Sequence, residues 1–230
     1  MIDAYPESQA APAVAYHLRA DAMVAVDRYD DPVAEVADLV PLFELDLYQQ
    51  VAERAPPGWL LHAAALERDG RAYVFAGPSG AGKTSLMLAL VAVGWRLITE
   101  EMVLIDRELR VRGLARPIHA DSRSVIPASW RMRDYPLRGS ATNVLAHPPA
   151  ELRVADALPL AAIARIDHAP DAVPALTALA PQRAITRLWD ATLRQDDDGL
   201  ASAVAIAARV RTLDLWSSSV EAAALLSNHI

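Results

Sequence analysis

Cysteine is absent from the chain. That excludes disulfides and thiolate-bound metal, and it leaves the redox compartment undecided. No apolar run reaches the ~18 residues of a membrane-spanning helix, although hydrophobic residues make up 53% of the 230 positions. The N-terminus, MIDAYPESQAAPAV, lacks the basic segment and long apolar stretch of a secretory signal. The expectation is a cytoplasmic protein with no membrane partner. Positive charge is also scarce. Lys plus Arg number 22 against 29 Asp plus Glu, for a net charge of −7. Such a balance argues against broad nucleic-acid binding, which needs many phosphate contacts, but it leaves room for a local positive pocket.

Scarcest of the charged residues is lysine. One lysine, Lys83, stands among 21 arginines. The arginines are spread over every segment and read as compositional bias. The lysine sits inside AGPSGAGKTS, residues 76–85.

Around it the chain alternates strand and helix signals. Val14 to Leu18 and Met23 to Val26 alternate like a short hairpin or flap. DLYQQVAERAPPG reads as a short helix closed by Pro56, Pro57 and Gly58. The double proline is taken as the boundary between a β-rich N-terminal appendage, residues 1–57, and a main domain, 58–230. Leu60 to Leu66 and Tyr73 to Ala76 read as strands joined at Asp69-Gly70, a strong hairpin signal. TSLMLALVAVG is an apolar helix stopped by Gly94. RLITEEMVLID is one strand broken by two carboxylates, or two short strands flanking them, and ELRVRGL is the next strand after a turn at Asp106-Arg107.

Further on, DSRSVIPASWRMRDYPLRGS is expected as loop with a short helix, and LPLAAIARID as a buried strand. APQRAITRLWDATL and DGLASAVAIAARV are expected as helices around an acidic loop, Asp196 to Asp198. RTLDLW would be a late strand and SVEAAALLSNHI a closing helix. No internal repeat is visible.

Gly77-Pro78-Ser79-Gly80-Ala81-Gly82-Lys83-Thr84 satisfies G-x-x-x-x-G-K-[ST], with a strand before it and a helix after it. Gly80 and Gly82 allow backbone angles closed to other residues, so successive N–H groups turn inward as an anion nest. The following helix adds its positive end. Thr84 offers a hydroxyl to Mg²⁺, and Ser85 completes the stretch. A compact ammonium on a flexible stem follows the outer phosphates of a nucleotide better than a planar guanidinium does, which explains one lysine among many arginines. In random order this composition would yield the pattern in roughly one chain in 10⁴.

Glu100-Glu101 follows 17 and 18 residues after Lys83. One carboxylate could hold Mg²⁺ and the other could take the proton of an attacking hydroxyl. Adjacent strand residues face opposite ways, so both reach one site only if the chain bends between them. His62, on the apolar strand, and His119 read by composition as core histidines. Arg116 and Arg123 flank His119 and could neutralise phosphate, although most arginines here are surface residues.

The stretch LHAAALERDGRAYVFAGPSGAGKTSLMLALVAVGWRLITEEMVLID resembles the HPr kinase/phosphorylase family, in particular its short HPr-kinase-related members, which include lasso peptide kinases. Three features carry the resemblance: His62 before the hairpin, the Gly77 to Thr84 turn, and Glu100-Glu101 where the family has an acidic pair. They lie within residues 60 to about 120, roughly a quarter of the chain.

The resemblance implies an α/β fold, with a P-loop nucleotide-binding core and a mixed sheet of the HPr kinase and phosphoenolpyruvate carboxykinase type. It implies ATP and Mg²⁺ as cofactors and a serine hydroxyl of a peptide or small protein as acceptor. It places His62 and the acidic pair in the active site, and it raises the possibility of a homo-oligomer. Departures are the small size of the chain, Glu at position 100 where Asp is usual, and no C-terminal signature of phosphorylase activity. HPr itself is therefore not the favoured acceptor.

On this reading Lys83 and the turn amides hold phosphates, Thr84 and Glu100 hold Mg²⁺, and Glu101 is the general base, tuned by His62. The two glutamates could exchange roles. The rival readings are a non-catalytic ATP-sensing module and a small-metabolite kinase.

Overall fold

A computed structural model describes residues 16–18, 22–25, 30–32, 36–114, 116–120, 124–134, 144–168, 175–217 and 226. The elements in order are β1 (Tyr16–Leu18), β2 (Ala22–Ala25), β3 (Asp30–Pro32), α1 (Val36–Arg54), β4 (Gly58–Arg68), β5 (Arg71–Ala76), α2 (Lys83–Ala92), β6 (Arg96–Thr99), β7 (Met102–Asp106), β8 (Arg110–Gly113), β9 (Ile118–Ala120), β10 (Arg131–Asp134), β11 (Val144–His147), β12 (Leu158–His168), β13 (Ala175–Leu179), α3 (Pro181–Leu188), α4 (Asp197–Ala207) and β14 (Arg211–Ser217).

Among the described residues the main sheet has eight strands, in the order β13-β14-β12-β5-β4-β7-β8, with β6 also paired to β4. It is mixed. β12 runs parallel to β5 and to β14, and the remaining pairs are antiparallel. The first residues of β12 also pair with β8, so the sheet curls back on itself. Beside it lie two small antiparallel sheets, β1-β2-β3 and β10-β11-β9.

Both faces of the main sheet are covered, which is why β4 reads as a continuous apolar run rather than an alternating one. Ala64 and Leu66 face α2, with Phe75, Leu86, Met87, Leu90 and Trp95. Trp59, Leu61, Ala63 and Ala65 face α3 and α4, with Ala184, Leu188, Ala203 and Ile206. Leu60 packs with Met102 and Leu104 beneath α1. Full burial of a leucine of this kind stabilises by about 1.5–3 kcal/mol.

Local chemistry accounts for the connections. The β4–β5 turn holds Asp69 at φ 53° and Gly70 at φ 74°, the left-handed pair that a two-residue hairpin requires. Gly70 N–H donates to Glu67 at 2.7 Å.

Several sequence expectations are met: the β1–β2 hairpin, the end of α1 before Pro56-Pro57, the β4–β5 hairpin, and two strands flanking Glu100-Glu101. Others need correction. The first helix is not short but spans 19 residues from Val36. The polar segment after residue 120 holds the strand Arg131–Asp134, paired to β11, where loop with a short helix was expected. Exposed on all four residues, that strand carries no burial pattern to read. Asp196 to Asp198 is not a free loop, because Asp196 caps α4 by accepting from Gly199 N–H at 2.7 Å and the next two aspartates enter the first turn. Acidic residues there suit the helix's positive end. The strand Ala175–Leu179 has no counterpart in the sequence reading. The expected closing helix, residues 219–230, lies outside the described residues except for Leu226, which is buried in the α2-side core.

Candidate active site

The glycine-rich turn leaves the sheet at the carboxyl end of β5, where parallel β12 runs alongside. Open α/β sheets bind ligands at this end of their parallel strands. Gly77 passes so close to β12 that a Cβ would lie 2.6 Å from the Ile166 carbonyl oxygen. Gly80 and Gly82 take φ 79° and 88°, and Gly82 opens α2 with no side-chain cap. The first N–H groups of the helix therefore have no side-chain acceptor at the turn. Lys83 Nζ donates to the Gly77 and Pro78 carbonyls at 2.9 and 3.1 Å. Burial lowers its pKa, and Glu101 and Glu100 oppose the shift. Ser79 and Ser85 are exposed on the rim of the turn.

The acidic pair occupies a break in the chain. β4 pairs with β7 through His62 and with β6 from Ala65, with a register shift next to that point. Between them the backbone bends, and Ala63 N–H donates to the Glu101 carbonyl at 3.1 Å. The bend removes the strand alternation that would have separated the two side chains.

Glu100 turns inward and is 6% exposed. Its Oε1 accepts from the Thr84 hydroxyl at 2.9 Å, and its Oε2 is buried with no partner among the described residues. Burial, reinforced by the Glu101 charge, pushes its pKa up to about 8, against the pull of Thr84, the His119 backbone and Lys83.

Glu101 is held from two sides. His62 Nδ1 lies 3.1 Å from its Oε1, and Arg116 Nη1 lies 3.2 Å from its Oε2. Arg116 is 4% exposed. Its other terminal nitrogen is 3.5 Å from Glu44 Oε1, and its guanidinium lies 5.0 Å from the centre of the Tyr48 ring. His119 Nε2 is also 3.5 Å from Glu44 Oε1.

The structure thus brings together Lys83, Thr84, Glu100, Glu101, His62, Arg116 and His119. Arg123 lies outside the described residues. Sequence reasoning missed Glu44 and Tyr48, which α1 delivers from the N-terminal segment. It also missed Arg165, at the end of β12 and in register with Ala76, the last residue before the turn. A charge in an apolar strand was a usable signal for Arg165. Its nitrogens donate to Asp167 at 2.6 Å and to the Arg187 carbonyl at 2.8 Å, and Arg187 in turn binds Asp167 and Asp214. For Glu44, one acidic residue among several on a helix, the sequence offered no signal.

The donor set fits Mg²⁺. A threonine hydroxyl and a buried carboxylate oxygen without a partner are hard oxygen ligands, and this ion is usually held by one or two carboxylates plus substrate phosphates. Among the described residues no group of three or more His, Asp or Glu forms a cage of its own. No helix among them is long and apolar enough to cross a membrane.

No protein family model and no curated protein matches the chain. Among solved structures, the Hpr(Ser) kinase/phosphatase from Coxiella burnetii is similar at 12% identity, over 74% of this chain and 95% of that one, with a TM-score of 0.39.

Proposed function

We propose that this chain is an ATP-dependent kinase that transfers the γ-phosphoryl group to a serine hydroxyl of a peptide or small protein. The observation that carries the proposal is the meeting of Thr84 and Glu100, sixteen residues apart, at 2.9 Å beside the turn lysine. A lysine turn, a hydroxyl ligand and a buried carboxylate together answer the needs of a magnesium–nucleotide complex. A second carboxylate, Glu101, stands next to them.

In the proposed mechanism the turn amides and Lys83 bind the phosphates. Lys83 exchanges its carbonyl partners for phosphate oxygens. Thr84 and Glu100 would hold Mg²⁺, which supplies charge neutralisation for the transferring group. Glu101, oriented by His62 and Arg116, accepts the proton of the acceptor hydroxyl. The bond from that oxygen to the γ-phosphorus forms, the bond to the bridging oxygen of ADP breaks, and ADP leaves with the electron pair. Positioning and charge stabilisation supply most of the catalysis in such a transfer.

The test is transfer of label from γ-labelled ATP to peptides and carrier proteins encoded beside this one, with Lys83→Ala and Glu101→Gln as controls. Transfer by the parent and its loss in both variants supports the reading. Equal transfer by all three overturns it.

A further inference from the structure

Beneath α1 lies a cavity of about 480 Å³. That is within the ~300–1,000 Å³ range of pockets that hold small molecules. Its walls are apolar: Leu47 and Val51 from α1, Leu60 from β4, Met102 and Leu104 from β7, and Leu114. Four residues with polar groups join them, of which Tyr16 already donates its hydroxyl to Asp46. Gln50 is 4% exposed, and its Nε2 is buried with no partner among the described residues. Its Oε1 is already used by Arg54. Arg54 stands at the same wall, and the side chain of exposed Arg112 lines the cavity with no hydrogen bond or ion pair among the described residues.

An unpartnered buried donor is costly, and a ligand oxygen removes that cost. The unpartnered side-chain groups of Gln50 and Arg112 are donors, and two of the lining residues, Arg54 and Arg112, are cationic. The complementary ligand has a hydrocarbon body and an anionic, oxygen-bearing head. A carboxylate matches the planar guanidinium fork.

We infer that this cavity is a binding site for a small apolar carboxylic acid, with the body against Leu60, Met102 and Leu104 and the carboxylate at Arg112 and Gln50. The inference is independent of phosphoryl transfer. Because Met102 directly follows Glu101, an occupant would also brace the strand that carries that carboxylate.

Isothermal titration of the full chain with octanoate, and in parallel with octylamine, tests this. Saturable one-to-one binding of octanoate, none of octylamine, and roughly tenfold or greater weakening in Arg112→Gln are expected. Leu104→Trp and Val51→Phe, which fill the cavity, should abolish binding. Thermal melts and ATP titrations of the same samples show that each variant is folded and read the phosphate turn separately, so failure of one proposal is not mistaken for failure of the other. No octanoate binding at millimolar concentration overturns the inference. So does equal binding by Arg112→Gln, by octylamine, or by both folded cavity-filling variants.

Discussion

The Thr84 hydroxyl donates to Glu100 Oε1 at 2.9 Å, tying the first turn of α2 to the break between β6 and β7. The contact joins the phosphate turn to the acidic pair. It leaves the second oxygen of Glu100 buried and without a partner among the described residues.

Lys83 should be irreplaceable for transfer. Lys83→Ala is expected to lower kcat by about 10²–10³, the loss seen when one preorganised donor is removed. Lys83→Arg should recover little, because a planar fork does not fit a turn that grips an ammonium at 2.9 and 3.1 Å. Steady-state transfer kinetics check both.

Glu100 should make stability fall as pH rises. Its folded pKa is about 8 against 4.5 for the free side chain. Between those values the folded chain holds more protons than the unfolded one, so unfolding becomes easier with rising pH. In metal-free buffer the unfolding free energy should decline, by on the order of a few kcal/mol, between about pH 4.5 and 8. Glu100→Gln should flatten that slope. Urea unfolding across the range measures it.

Two partners of Glu101 should behave differently. Arg116→Ala leaves Glu44 buried without its guanidinium partner, and breaking a buried pair costs about 3–5 kcal/mol. Thermal unfolding should show the loss. His62 is more than a third exposed at its side chain, so His62→Ala should leave the melting temperature nearly unchanged and slow transfer instead.

Trp59 donates through its indole nitrogen to the Thr192 hydroxyl at 3.0 Å in the core on the α3 and α4 side. Thr192→Val keeps the shape and removes the acceptor. The buried N–H is then unsatisfied, at about 1–3 kcal/mol, which denaturant titration would detect with an unchanged m-value.

Much of the framework was legible because it depends on neighbours in sequence. The Asp69-Gly70 turn and the helix stop at Gly94 are local matters of backbone angle and hydrogen bonding, whereas Asp196 was read as part of an acidic loop and its cap on α4 appeared only in the structure. The strand Arg131–Asp134 was not legible: all four residues are exposed, so no apolar period marks it. The bend at Glu100-Glu101 was foreseen as a requirement, but its shape follows from how β4 divides its edge between β6 and β7.

The amino-acid order alone determined the phosphate turn, since its glycines, lysine and threonine are contiguous and their chemistry is local. It also determined that two carboxylates and a histidine were available nearby. Only the tertiary structure decided which carboxylate is buried against Thr84 and which is held by His62 and Arg116. It alone brought Glu44 and Tyr48 of α1 to that cluster and left an apolar cavity beneath the same helix. Burial and long-range packing are properties of the assembled layers, and no spacing along the chain encodes which charge will lose its water.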